Sequence, residues 1–587
     1  MAASFSHAAQ HLSQLLISHF LLIWMLLLVL VPVCGLLASS LWQPILSRTS
    51  PVGESTGKLE SPRPLTLADG IAAAGFAIFL ILYIVVIFYK EDFAYYDNDQ
   101  LTDFSLRGRN FPPPIWPDAG RFFPLGFQEF NVLALITKSL AGFHTLAVIQ
   151  LVILLLAIMA VLDGFKPFHR VLILMLAMLA PSFMIPFTEL IYPERNVLFW
   201  LAIMVWCLYS HSKTKASIYF IGCLIATHFA LYYKETVVVF VVACAVTRIL
   251  LESHAGRAAG HSWRELAREN SLSLGMLAVS GIYGVLFLAT MLPHGNPSYL
   301  GAHRQALGSV LLAYAQTDWL PLVLFAVFII RVQRFIFSDG ELDPLWESLA
   351  VGALGYFAVV LALRLVSAYY MAPVDLIAVL YTARSSLAWL SKPTRLRVSI
   401  VAAVFTCILF QNLAYSSFRM IERKNVIAVK KQFADFLRSY QWETNTLELF
   451  FPYASQYHLM GLSAYLRYRG FPLVGQSAPS GGAGPRLLIE GPQDFLHNRC
   501  VDYRDYACTH ADRPGEGALI VVLPDDTVSM RDVENISKAS ALLLSIKACE
   551  VCTRDGSWFR KLHAISAEFS ESQLPQHWLQ LHVFKKT

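Results

Sequence analysis

Residues Gly70 to Asp99 read GIAAAGFAIFLILYIVVIFYKEDFAYYDND. Positions 70–89 carry no charge, and a helix needs about 20 apolar residues to cross the hydrocarbon of a bilayer. This run therefore predicts a transmembrane helix. Immediately after it come Glu91, Asp92, Asp97 and Asp99, interleaved with Tyr95 and Tyr96. Aromatic rings of this kind belong at the membrane–water interface, so the acids are expected beside the membrane surface.

Similar apolar runs, some short or closely joined, recur near 16–40, 139–162, 171–190, 196–210, 216–232, 235–252, 272–292, 319–330, 347–366, 371–390 and 396–416. The chain of 587 residues is 56% hydrophobic and 15% charged, against about 45–50% and about 25% for soluble domains. The expectation is an α-helical polytopic membrane protein with about 12 transmembrane helices. The first run is too long, and too poor in basic residues at its start, for a cleavable signal peptide.

Beyond Tyr415 the apolar runs shorten and charges become frequent. The division expected is a membrane domain over 1–416 and a soluble domain over 417–587. The soluble part should open with a helix over Glu422–Tyr440. Strand-like runs follow at Arg486–Ile489, Ala518–Leu523, Ala541–Ile546 and Leu579–Phe584. Strands mixed with helical stretches predict an α/β or α+β layer.

Short basic loops face the cytoplasm. If the loop after the first helix, with Arg48, Lys58 and Arg63, is cytoplasmic, alternation gives every loop on that side a basic character. Those loops hold Lys166/Arg170, Lys213/Lys215, Arg257/Arg264/Arg268, Arg331/Arg334 and Lys392/Arg395/Arg397. The outside then receives 90–138, the Pro193–Asn196 turn, the Lys234 turn, 294–318, the Tyr369–Tyr370 turn and the C-terminal domain. The mild net charge of +5 is mostly this topology signal. No basic, aromatic-interleaved patch of the kind that binds nucleic acid is present.

The outside segments hold the chemistry. The 90–138 loop is longer than an ordinary connection, and such loops are often functional. It carries Asp97, Asp99, Arg107, Arg109 and Arg121 among aromatic residues. A carboxylate partly buried among others has a raised pKa, which suits a general base acting on a hydroxyl; a solvated acidic loop or a helix cap is the plainer alternative. Glu194/Arg195 and Lys234/Glu235 each stand between two apolar helices, where charge is costly and usually paired or functional. Arg195 and Lys234 suit a phosphate, or snorkel to the interface. Tyr369, Tyr370 and Asp375 mark a third, weaker place. There is no Walker loop, no GxGxxG after a strand, no HExxH and no GxSxG, which argues against nucleotide-driven pumps, dinucleotide-binding dehydrogenases, zinc proteases and serine hydrolases.

Five of nine cysteines lie in apolar runs, while Cys500, Cys508, Cys549 and Cys552 lie in the soluble part. In an oxidising compartment these would form disulfides. Cys500 with Cys508 closes a short loop, and Cys549–Cys552 is the less favoured second bridge, its CxxC spacing also being that of a redox or half-zinc pair.

Taken together, Tyr95-Tyr96-Asp97-Asn98-Asp99 after an early helix, Tyr233-Lys234-Glu235-Thr236 at a later helix boundary and a C-terminal soluble domain resemble the GT-C superfamily of membrane glycosyltransferases. That superfamily includes protein O-mannosyltransferases, lipid A aminoarabinose transferases and mycobacterial arabinofuranosyltransferases. The resemblance runs over roughly 70–416. It implies an inverting transfer of a sugar from a polyprenyl-phosphate donor to a hydroxyl of a glycan, lipid or protein at the outer face of a bacterial inner membrane, with the C-terminal domain in the periplasm. It implies Asp97, or Asp99 next to it, as base, with Arg195 and Lys234 on the donor phosphate. Glu194, Glu235, Arg107, Arg109, Arg121, Tyr369 and Tyr370 would contact substrate. It implies no metal and no cofactor. The chain departs from the pattern in its extra first helix and in Asp-Asn-Asp where Asp-Glu or Asp-Asp is usual. Two rivals stand beside this: a transporter, whose half-repeats are not visible, and a lipid-linked polysaccharide ligase or polymerase, whose charged loop is expected late rather than early.

Overall fold

A computed structural model describes residues 2–42, 66–88, 92–93, 101–102, 104–117, 120–294, 306–337, 342–390, 394–442, 445–453, 456–472, 486–491, 508–511, 513–523, 530–547 and 580–586. Helices dominate up to Ser439. They are α1 (Ala2–Ser18), α2 (Phe20–Trp42), α3 (Leu67–Phe88), α4 (Gln128–Leu133), α5 (Leu140–Val161), α6 (Pro167–Met178), α7 (Pro181–Thr188), α8 (Glu194–Thr214), α9 (Ser217–Tyr233), α10 (Val237–Ala258), α11 (Trp263–Glu269), α12 (Ser271–Met291), α13 (Leu307–Thr317), α14 (Leu320–Phe337), α15 (Pro344–Ala362), α16 (Ala372–Trp389) and α17 (Arg395–Ser439).

All twelve apolar runs fall in helices. Among the described residues seven helices are long and apolar enough to span a bilayer, and two bent pairs bring this to nine. The pairs are α1 with α2, bent by 73°, and α6 with α7, bent by 65°. Pro181 explains the second bend: proline disfavours helical backbone in the residue before it, and Ala180 is extended at ψ 133°. The other three runs lie in α8, α9 and α16. These helices are buried along much of their length, so less of their surface needs to face lipid.

The layering follows from burial. In α15, 61% of the span is buried, against 11% in α3 and 17% in α14. The central helices approach closely through small residues, a usual device of membrane packing. A side chain on Gly352 of α15 would meet Phe240 O of α10 at 2.8 Å, so Gly352 sets that contact. The outer helices expose rows of Leu, Ile, Val and Phe, such as Ile78, Leu82 and Val85 on α3, as a lipid-facing surface requires.

Helix α17 continues for 45 residues, through the 416/417 boundary expected between domains. Beyond it lie strands β3 (Thr446–Phe450), β4 (Arg486–Gly491), β5 (Cys508–His510), β6 (Leu519–Val522), β7 (Ser540–Lys547) and β8 (Gln580–Lys586), with helices α18 (Gln456–Tyr468) and α19 (Met530–Ala539). A small hairpin, β1 (Ile115–Trp116) and β2 (Arg121–Phe122), precedes α4. The six strands form one mixed sheet in the order β5-β4-β3-β6-β8-β7. Strands β3 to β6 pair in parallel, while β8 runs antiparallel to β6 and β7. Alternation along a strand buries both faces. Leu447, Leu449, Leu519, Val521, Leu581 and Val583 share a core with Phe433 and Leu437 of α17. Phe450, Ile520, Val522 and Phe584 pack with Val533 of α19. The expected strands at 486, 518, 541 and 579 are β4, β6, β7 and β8.

Candidate active site

Four segments expected on the outside meet at one end of the bundle: the 104–134 loop, the start of α8, the α9–α10 break and the Tyr369–Tyr370 turn. The meeting is built on aromatic packing. Phe122 of β2 is fully buried among Phe20, Tyr232, Tyr283 and Phe287, and Tyr283 Oη donates to Phe122 O at 3.1 Å. Leu125 N donates to Tyr232 O at 3.1 Å. The Asn131 side chain accepts from Phe111 N at 2.7 Å and donates to Phe111 O at 3.0 Å. These ties hold the 104–134 loop against the start of α8 and the α9–α10 break. Phe127 opens α4 at φ 68°, an uncommon conformation for a non-glycine residue, fixed here by Phe111 and Phe123 packed on its ring.

Three ion pairs result. Arg195 Nη2 lies 3.0 Å from Glu129 Oε1, its side chain 0% exposed. Its other fork nitrogen donates to Leu190 O at 2.9 Å. Asn196 Nδ2 donates to the same Glu129 oxygen and its own oxygen accepts from Gln150 at 2.7 Å. Lys234 Nζ lies 2.7 Å from Glu194 Oε1, with side chains 5% and 1% exposed. Arg121 Nε lies 2.6 Å from Glu235 Oε1, with 14% and 18% exposed. Glu194 stands in the first turn of α8, where the helix dipole favours a carboxylate. Lys234 sits in extended backbone at φ −158°, ψ 126° between α9 and α10, so its side chain leaves the helical ladder and turns to Glu194.

Adjacent residues thus face different partners: Glu194 takes Lys234 and Arg195 takes Glu129; Lys234 takes Glu194 and Glu235 takes Arg121. Tyrosines wall the cluster. Lys234 Nζ lies 4.9 Å from the Tyr370 ring centroid and 5.8 Å from that of Phe123. Tyr369 stacks on Tyr192 at 4.2 Å and touches Tyr370 at 4.4 Å. Burial raises the Glu129 carboxyl and the Arg195 charge opposes it. Burial works against the Lys234 ammonium, and Glu194 beside it more than offsets this, leaving its pKa raised.

The structure therefore brings together Arg121, Glu194, Arg195, Lys234, Glu235, Tyr369 and Tyr370. Arg107 is exposed at the end of a single 3-10 turn, and Arg109 lies over Phe104 at 5.4 Å; neither enters the three ion pairs. Asp97, Asp99, Cys500, Cys549 and Cys552 lie outside the described residues, as does the side chain of Cys508. The segment leading to Asp97 is anchored just before it. Asp92 meets Arg469 at 3.6 Å and accepts from Tyr465 at 3.3 Å, and Phe93 packs edge-on to Tyr468 at 5.1 Å. Sequence reasoning missed Glu129, whose partner lies 66 residues away; its one signal was an acid inside an aromatic stretch, FFPLGFQEF.

No protein-family model and no curated protein matches the chain. Among solved structures it is similar to the crystal structure of ArnT from Cupriavidus metallidurans bound to undecaprenyl phosphate, at 12% identity and a TM-score of 0.44 over 88% of this chain and 98% of that one. It is also similar to the apo state of the same protein, at 11% identity and a TM-score of 0.43 over the same shares.

Proposed function

We propose that the chain is a membrane glycosyltransferase that moves a sugar from a polyprenyl-phosphate donor to a hydroxyl of a glycan, lipid or protein. The site would lie at the outer face of a bacterial inner membrane. The observation that carries this reading is the tyrosine-walled Lys234–Glu194 pair, flanked by Arg121–Glu235, at the end of a lipid-facing bundle. Charge at such depth is costly unless paired or used. An ammonium has three N–H donors; Lys234 stands beside Glu194 as an ion pair at 2.7 Å, and an incoming phosphate oxyanion takes its donors. Arg121, the more exposed cation, is the second phosphate contact. Arg195 is closed in by Glu129, Leu190 O and Phe130, so its role here is to fix the start of α8 and hold Glu194 toward Lys234.

In the step proposed, the bond between the anomeric carbon and the phosphate oxygen breaks and its electron pair stays on the phosphate. The acceptor oxygen forms the new bond from the opposite side, with inversion, and its proton passes to a carboxylate. Lys234 and Arg121 stabilise the charge that grows on the leaving phosphate, the kind of preorganised electrostatics that contributes most to such catalysis. Asp97 is the proposed base, with Asp99 next. The 1–416 part holds this chemistry, and the 417–587 part, facing the periplasm, grips the acceptor or caps the site. No metal or cofactor enters the step.

The test is transfer of radiolabelled sugar from a synthetic polyprenyl-phosphate sugar by purified protein. General base catalysis contributes about 10²–10⁴-fold, so Asp97→Asn should fold, bind donor and lose turnover on that scale. If Asp99→Asn loses it instead, the two roles are exchanged. Full activity in both variants would rule out a base in this loop.

A further inference from the structure

Behind the tyrosine wall lie two carboxyls that the proposed step does not use. Asp318, in the turn between α13 and α14, and Asp375, in the first turn of α16, are both fully buried. Asp375 Oδ2 accepts from Ser182 of α7. Asp318 Oδ1 accepts from Leu320 N at 3.1 Å. That leaves one oxygen on each, Asp375 Oδ1 and Asp318 Oδ2, buried without a donor. The two carboxyls stand within hydrogen-bonding range of each other. Neither forms an ion pair with Lys, Arg or His among the described residues. The phenol of Tyr314 from α13 lies close to both carboxyls, and Tyr356 from α15 and Tyr370 from the turn before α16 lie about Tyr314. Tyr314 Oη is itself committed to Leu365 O at 2.7 Å.

Two carboxylates cannot accept from one another. A single proton between the orphan oxygens satisfies both at once, and it removes one of two like charges from a place with no counter-ion. We infer that Asp318 and Asp375 share one proton, and that this proton clasps α7, α16 and the α13–α14 turn behind the candidate active site. The clasp has consequences for that site by position. Helix α7 runs on to Tyr192 and Glu194, and α16 follows directly on Tyr369 and Tyr370, so the two carboxyls are positioning residues for the tyrosine wall. The inference stands whatever the reaction.

The pH sign follows from linkage. Burial raises the Asp318 carboxyl above its ordinary range, so the folded protein holds a proton that the unfolded chain has released. The stabilisation is whole below the unfolded value of about 4 and is lost as pH rises through the folded titration. In that window the unfolding constant rises about tenfold per pH unit.

The experiment is unfolding of the full-length protein in mixed detergent micelles across pH 4.5–9, for the parent, Asp318→Asn, Asp375→Asn and the double Asn variant. Each single amide keeps its acceptor bond and donates permanently where the proton sat. Each single variant should match the parent at the acid end and keep only the smaller pH-dependent component of one buried carboxyl. The double variant should be less stable than the sum of the singles, because two amide N–H groups then face each other. Parental pH dependence in both singles, or additive behaviour in the double, would overturn the shared proton. So would failure of both singles to fold, since an amide in the proton's place should be tolerated.

Discussion

The two ends of the helix bundle use the same vocabulary of cation, carboxylate and tyrosine, and use it differently. At one end Lys234 and Glu194 are 5% and 1% exposed beside Tyr370. At the other, Lys213 and Asp163 are 48% and 46% exposed beside Tyr209. An exposed pair contributes little because water already satisfies both charges. A buried pair has lost that water, and removing one partner strands the other. The exposed end thus reads as topology signal and surface trim. The buried end requires a use for charge, and a ligand phosphate is the use proposed.

The largest effect that would sharpen this contrast is at Glu129. Glu129→Ala leaves Arg195, with 0% of its side chain exposed, without its carboxylate and should cost about 3–5 kcal/mol, read as unfolding in detergent. The double variant Glu129→Gln/Arg195→Met should recover much of it. If Glu129→Ala unfolds like the parent, the buried end is no different in kind from the exposed one.

A middle effect is expected at Arg121, which is 14% exposed. Arg121→Gln leaves Glu235, 18% exposed, without its cation and should cost about 1–3 kcal/mol, while weakening binding of a polyprenyl phosphate about tenfold or somewhat more, the worth of one charged hydrogen bond. Parental binding would remove Arg121 from the phosphate site. The smallest effect belongs to Asp163. Burial pushes its carboxyl up, and Lys213 and Tyr209 more than offset this, holding it below the usual range. Its contribution is therefore present above about pH 4 and lost as pH falls. Asp163→Asn should cost under about 1 kcal/mol at neutral pH and leave lipid binding untouched. A large loss of either would mean that this end too is built for a ligand.

What was legible in the sequence, and what was not, follows from the range of each constraint. The bilayer forces about 20 apolar residues into each span, so the twelve apolar runs, each of which falls in a helix or a bent helix pair, could be read from the chain alone. Four strands of the sheet were readable as apolar runs between polar stretches. Strand β3, at the centre of the sheet, was missed because Glu448 interrupts the apolar run of Thr446–Phe450. The segments around Arg121, Arg195, Lys234 and Tyr370 were readable as a group, since each interrupts apolar helices on the same side. Their pairing was not. Glu194 and Arg195 point to different partners because neighbours on a helix diverge by about 100°, and nothing local names those partners. Asp318 left no local mark either: it becomes exceptional only when α16 places Asp375 against it.

The most direct test of the central proposal is binding of a sugar-free polyprenyl phosphate to the double variant Glu194→Gln/Lys234→Gln. The exchange removes a positive and a negative charge together, so no buried charge is stranded and the fold should persist. Binding is measured by competition with a fluorescent polyprenyl phosphate on purified protein, beside an Asp163→Asn/Lys213→Gln control from the other end. The predicted result is a loss of about 10- to 100-fold, the worth of a charged hydrogen bond to phosphate, in the first variant and parental affinity in the control. Parental affinity in a folded Glu194→Gln/Lys234→Gln protein would show that Lys234 does not hold the donor phosphate, and the proposed site would be wrong.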